Sequence, residues 1–134
     1  MEPIKIVVRY ISGKVLKGYT NDFFPDKSLF HLRPIDNTAV GELIEVLIID
    51  LKAVFFVKDF TGDSSYNEKK EFTAGQKPTG RKIEVTFLDG EVLVGTTTGY
   101  DPKRPGFFLF PADPQSNNLR TFIVSTYLSN VKYL

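Results

Sequence analysis

Residues 82–95 read KIEVTFLDGEVLVG, and residues 5–18 read KIVVRYISGKVLKG. These two stretches decide the fold, because one is a copy of the other. Sliding the chain along itself by 77 positions lays residues 5–57 on residues 82–134 without a gap, with 15 identities in 53 aligned positions. The identities include Gly13/Gly90, Gly18/Gly95, Pro25/Pro102 and Pro34/Pro111, residue types that fix backbone shape. Self-similarity at a fixed offset signals a repeated structural unit. In both copies apolar side chains alternate with others: Ile6, Val8 and Tyr10 in the first, Ile83, Val85 and Phe87 in the second. Period two is the pattern of a half-buried strand. Ser12-Gly13 and Asp89-Gly90 follow where a tight hairpin needs positive φ.

Reading outward, each copy gives five short strands. A second strand holds Gly18 or Gly95, and a glycine inside a strand marks a sharp bend. Turns follow at Phe24-Pro25-Asp26-Lys27 and at residues 101–106. Third strands carry Phe30 and Leu32, or Phe107 and Leu109, and stop at Pro34 or Pro111. Fourth strands are expected over residues 43–48 and 121–125, and fifth strands over 53–57 and 130–134. Between the copies, residues 58–80 are rich in Gly, Ser, Thr, Lys and Glu without an apolar period, the composition of a linker. The expected organisation is all-β, with two tandem five-stranded small barrels related by internal duplication: a first repeat at 1–57, a linker at 58–80 and a second repeat at 81–134.

Composition narrows the function. The chain has 134 residues, 42% of them hydrophobic, so two small cores are expected to gain by packing together. Lys and Arg number 17 against 16 Asp and Glu, a net charge of +1, without the basic excess typical of phosphate-driven nucleic-acid binding. No cysteine is present, which removes disulfides, thiolate metal sites and cysteine nucleophiles. No apolar run has the length of a secretory signal or a membrane span, so a cytoplasmic protein without membrane contact is expected.

The pattern resembles the Sm-like family, which includes the Hfq-type RNA chaperones. The clearest copy runs Val85-Thr86-Phe87-Leu88-Asp89-Gly90, Gly95, Tyr100-Asp101, Leu109 and Asp113, closing on Val131-Lys132-Tyr133-Leu134. The first repeat matches at Gly13, Gly18, Phe23, Leu32, Asp36 and Leu51-Lys52-Ala53-Val54-Phe55-Phe56. The resemblance implies bent five-stranded barrels that associate through their fourth and fifth strand edges. It also implies single-stranded RNA as a ligand. No Arg-Gly follows the fourth strand of either repeat, and Asp50-Leu51-Lys52 and Tyr127-Leu128-Ser129 lack the Lys-His pair of the Hfq-type turn. The stretches VLKGYT, LKAVFFV and GYDPKRPGFFLFPAD are also similar to a bacterial family of tandem domains, which implies bacterial origin and no particular activity.

For sites, Lys103 and Arg104 beside Tyr100 join cations to an aromatic ring, as phosphate contact plus base stacking requires. Phe108 and Phe110 replace His31 and Arg33 of the first repeat, and Phe55 replaces Lys132 of the second. Apolar residues are therefore expected on outward faces, around Leu47, Ile49 and Phe55, covered by the other repeat's Phe108 and Phe110 or by another copy of the chain. His31, the lone histidine, reads as a strand residue without a carboxylate beside it. Asp36 and Asp113 read as turn caps, and Lys69-Lys70 and Arg81-Lys82 as solubilising charges. No catalytic set, metal cluster or phosphate loop is legible, and no cofactor is expected. The expectation is a non-enzymatic binding or assembly module, a regulatory protein-interaction scaffold with a protein partner or self-association. Single-stranded RNA binding is the alternative.

Overall fold

The structure is a computed structural model that describes residues 4–35, 43–60, 80–113 and 115–134. Strands β1 (Ile4–Tyr10), β2 (Val15–Thr20), β3 (Leu29–Pro34), β4 (Ile44–Leu47) and β5 (Leu51–Val57) come from the first repeat. Strands β6 (Arg81–Phe87), β7 (Val92–Thr97), β8 (Gly106–Pro111), β9 (Asn118–Val124) and β10 (Leu128–Tyr133) come from the second. A single 3-10 turn, Ile48–Asp50 or Ser125–Tyr127, joins the last two strands of each repeat.

The duplication reappears in the hydrogen-bond registers. Ile6 faces Gly18 across β1–β2, and Ile83 faces Gly95 across β6–β7. Gly18 faces Pro34 and Gly95 faces Pro111. Gly13 and Gly90 both take positive φ, +96° and +93°, in the first hairpin. At the bend, a Cβ on Gly95 would lie 2.0 Å from the Phe110 carbonyl oxygen, and one on Gly18 would lie 2.3 Å from that of Arg33. Only glycine lets the backbones approach so closely. The third strand then turns the corner: β3 pairs with β2 near its end and with β4 near its start.

Two closed barrels do not form. The strands make one antiparallel ten-stranded sheet in the order β10-β6-β7-β8-β9-β5-β1-β2-β3-β4, open at β10 and β4. The cause lies in β5. Its sequence LKAVFFV is buried at every position. Successive side chains of a strand point to opposite faces, so one small barrel core cannot take both sets. Instead β5 pairs with β9 of the other repeat, Val54 opposite Phe122 and Phe55 opposite Thr121. Val54 and Phe56 enter the first repeat's core with Ile6, Leu32 and Val46. Ala53, Phe55 and Val57 enter the second repeat's core with Ile83, Val85 and Leu109. In return β9 sends Phe122 and Val124 into the first core. Residues 61–79 of the expected linker lie outside the described residues. Lys58 and Asp59, which precede them, are tied to Asn117: the Lys58 N–H donates to its carbonyl, and the Asn117 side chain exchanges two bonds with the Asp59 backbone.

Candidate functional site

Three features stand out: the inter-repeat junction, the two open sheet edges, and a cleft beside one edge. The junction is the most apolar. Phe23, Phe56, Phe108 and Phe122 form a ring cluster, with Phe23 5.1–6.1 Å from Phe30, Phe56, Phe108 and Phe122 at steep angles. Edge-to-face contact suits the quadrupoles of such rings. Arg120 lies 4.5 Å over Phe56 and 4.3 Å over Phe108, bridging the repeats, and burial lowers its pKa from the usual guanidinium value. At one end of the junction Lys52, almost wholly buried, reaches the turn between β6 and β7. Its Nζ donates to Asp89 Oδ2 at 2.7 Å and to Glu91 Oε1, and lies 4.7 Å over Phe87. Burial alone would lower the Lys52 pKa, but the two carboxylates outweigh it and the value is raised. The Asp89 pKa is lowered, chiefly by the hydrogen bond from Lys52.

The junction takes up part of the expected interaction surface. Phe55, expected on an outward face, is buried against the second repeat. Its cover is not Phe108 and Phe110: Phe108 packs on the opposite core with Phe56, and Phe110 stays 38% exposed. Leu47 and Ile49 remain exposed, at 39% and 73%. Leu43 joins them at 60%, just ahead of β4. At the other edge, β10 leaves Tyr133 and Leu134 exposed beside Ser129, Asn130 and Lys132.

Tyr100, Lys103 and Arg104 lie together at the β7–β8 turn, on partners of their own. The Tyr100 ring packs edge-on against Phe107 at 4.8 Å. Asp101 accepts the Lys103 backbone N–H at 2.9 Å and sits 4.0 Å from the Arg104 guanidinium. Asp113 accepts the Gln115 N–H, as a turn cap does. Asp36, Lys69 and Lys70 lie outside the described residues.

His31 departs from its expected setting, since a carboxylate does stand beside it. Nδ1 lies 2.7 Å from Asp22 Oδ2, and the His31 backbone N–H donates to Asp22 Oδ1 at 2.9 Å. The Thr20 hydroxyl also donates to Oδ1. Burial pushes the Asp22 pKa up, yet these hydrogen bonds outweigh it and hold the carboxyl below its usual value. The signal was present: the β2–β3 hairpin returns β3 past the residues just after β2, but nine residues separate the partners and no spacing motif marks them. The pair opens onto a cleft of about 310 Å³ lined also by Tyr19, Asn21, Arg33 and Leu43. Lys52 and Arg120 were missed because each acts across the junction.

The fold and its edges thus define an all-β protein built as an internally repeated open sheet. The chain belongs to the family described as a family of unknown function (DUF6982), which matches residues 2–134. No curated protein and no solved structure matches it. No helix among the described residues is long and apolar enough to cross a membrane.

Proposed function

We propose that the chain is a non-enzymatic protein-binding module whose β4 edge receives an extended segment of a partner. The supporting observation is the pairing of open backbone with apolar side chains. Among the described residues β4 is hydrogen-bonded on one side only; Leu47 stands exposed on it, and Leu43 and Ile49 stand exposed just before and just after it. An open edge offers unpaired N–H and C=O groups, and strand addition with side-chain pockets is a general mode of peptide recognition. The junction supplies the internal precedent, since β9, the twin of β4, already receives β5 in this way.

The twin positions favour a different protein over a second copy. Copying the junction between chains would replace Phe23, Phe56, Phe108 and Phe122 by Tyr100, Tyr133, His31 and Glu45, and Phe55 by Lys132. Charged residues on edge strands discourage edge-to-edge pairing. The sequence resemblance of the repeats to the Sm-like family also supports a binding role. A pull-down from host cells with the native chain and with a Leu43→Asp, Leu47→Asp variant tests the reading. A specific protein should be retained by the native chain and lost from the variant. Equal retention by both contradicts the role of β4.

A further inference from the structure

We infer that the cleft beside β4 binds a small organic acid bearing a carboxylate, a neighbouring hydroxyl or amino donor, and an apolar side chain. This goes beyond the protein-binding reading and stands without it.

The cleft is built from the outward positions of the β2–β3 hairpin. Phe30 and Leu32 point into the core, so His31 and Arg33 project from the opposite face. Tyr19 faces Arg33 in the register, and the guanidinium lies 5.9 Å over its ring. The Tyr19 ring is itself braced edge-on by Phe60 at 5.3 Å. Arg33 is thus a positioned cation, and no carboxylate among the described residues pairs with it. A guanidinium fork matches a carboxylate in shape as well as charge.

Asp22 does not compete for that cation, because its oxygens accept from the His31 backbone, the His31 ring and Thr20. With Asp22 beside Nδ1, Nε2 is the ring nitrogen left for a ligand, an acceptor in the tautomer that carries its proton on Nδ1. Residues two apart on a strand are separated by roughly 7 Å. A small acid can therefore place its carboxylate on Arg33 and a neighbouring donor on His31. Leu43 and the Tyr19 ring supply an apolar wall.

The two repeats diverge at the same place. Duplication kept core residues such as Ile6/Ile83, Val8/Val85 and Leu32/Leu109, with the Gly18/Gly95 bend, but six of the seven cleft residues changed. Tyr19, Asn21, Asp22, His31, Arg33 and Leu43 correspond to Thr96, Thr98, Gly99, Phe108, Phe110 and Arg120, with only Thr20 matched by Thr97. In the second repeat Phe56 and Arg120 cover the equivalent Phe108. In the first, β4 is the last strand of the sheet among the described residues, and none of these covers the cleft in the same way.

Titration of the isotopically labelled full chain with L-phenyllactate and L-phenylalanine, followed by NMR, tests the inference. The His31 ring and Arg33 side-chain signals should shift together in a saturable way with at least one of the two acids. Hydrocinnamate, which lacks the donor, and phenyllactamide, which lacks the carboxylate, should each bind about tenfold more weakly, the size of one lost charge-assisted or buried hydrogen bond. Arg33→Gln should abolish the preference for acid over amide. His31→Phe should abolish the preference for phenyllactate over hydrocinnamate. Phenylalanine is already present at the matching position 108, and an unchanged melting temperature would show that the variant folds. Lys103→Ala, remote from the cleft, should bind as the native chain does. Absence of saturable shifts with both acids, or unchanged preferences in the Arg33 and His31 variants, would overturn the inference and leave the β4 reading intact.

Discussion

Glu45 stands in the first repeat where Phe122 stands in the second, and the exchange shows how single residues set the two ends of the sheet apart. Phe122 is fully buried, with its ring 5.1 Å from Phe23 and 5.4 Å from Phe108. Glu45 is exposed on the edge strand. Replacing Phe122 by alanine should cost about 3–5 kcal/mol in urea denaturation, the usual range for a buried phenylalanine that leaves a cavity. Glu45→Ala should change stability by no more than about 0.5 kcal/mol, as surface substitutions do. Lys52 gives a pH-dependent counterpart. Its pKa is raised, so its contribution is present below the unfolded value of 10.5 and is lost as pH rises through the folded value. The Asp89 pKa is lowered, so its contribution is present above 3.8 and is lost as pH falls through the folded value. The thermal stability lost in Lys52→Met relative to the native chain should therefore be largest near neutral pH and shrink toward both acid and alkaline extremes. A difference that stays constant with pH would show that the ion pairs add nothing beyond packing. The sequence made turn residues such as Asp113 legible, because a cap acts locally. It hid Asp22 with His31, and Lys52 with Asp89, because those partners meet only through pairing between strands.

At the scale of the element, β5 and β10 carry related sequences in opposite surroundings. β5 is buried throughout, whereas β10 is mostly exposed. Phe55→Lys, which installs the residue of its twin Lys132, would force a charge into the second core and is expected to cost at least about 3 kcal/mol. Lys132→Ala should be nearly neutral. Chemical denaturation of both variants separates a strand buried on two faces from one buried on a single face. Amide exchange follows the same division: β5 should exchange slowest, and the outward-facing amides of β4 and β10 fastest. Positions and hydrophobic periods of the strands were readable, because period two and the turn glycines are local signals. The 3-10 turns at Ile48–Asp50 and Ser125–Tyr127 were not, since three residues carry no period. The apolar excess of β5 was visible too, but sequence alone left open whether a second repeat or a second chain would cover it.

For the whole molecule, the repeats were legible and their joining was not. A gapless offset of 77 residues predicts like units, yet the same strands can close on themselves or exchange edges. What decides is that Val54 and Phe56 face one core while Ala53, Phe55 and Val57 face the other, which commits β5 to lie between the repeats. The whole-molecule charge bears on ligands in the same way. With a net charge of +1, and with Asp101 beside Lys103 and Arg104, binding to single-stranded RNA near physiological salt should be no tighter than about micromolar in fluorescence polarisation. Tighter binding that is lost in a Lys103→Ala, Arg104→Ala variant would restore the RNA reading. The continuity of the sheet is tested most directly by backbone NOEs across β5. A continuous sheet gives cross-strand contacts from Val54 and Phe55 to Phe122 and Thr121 of β9, alongside those to β1. Contacts from β5 to Val46 and Ile44 of β4 in place of those to β9 would mean two closed barrels, and would contradict it.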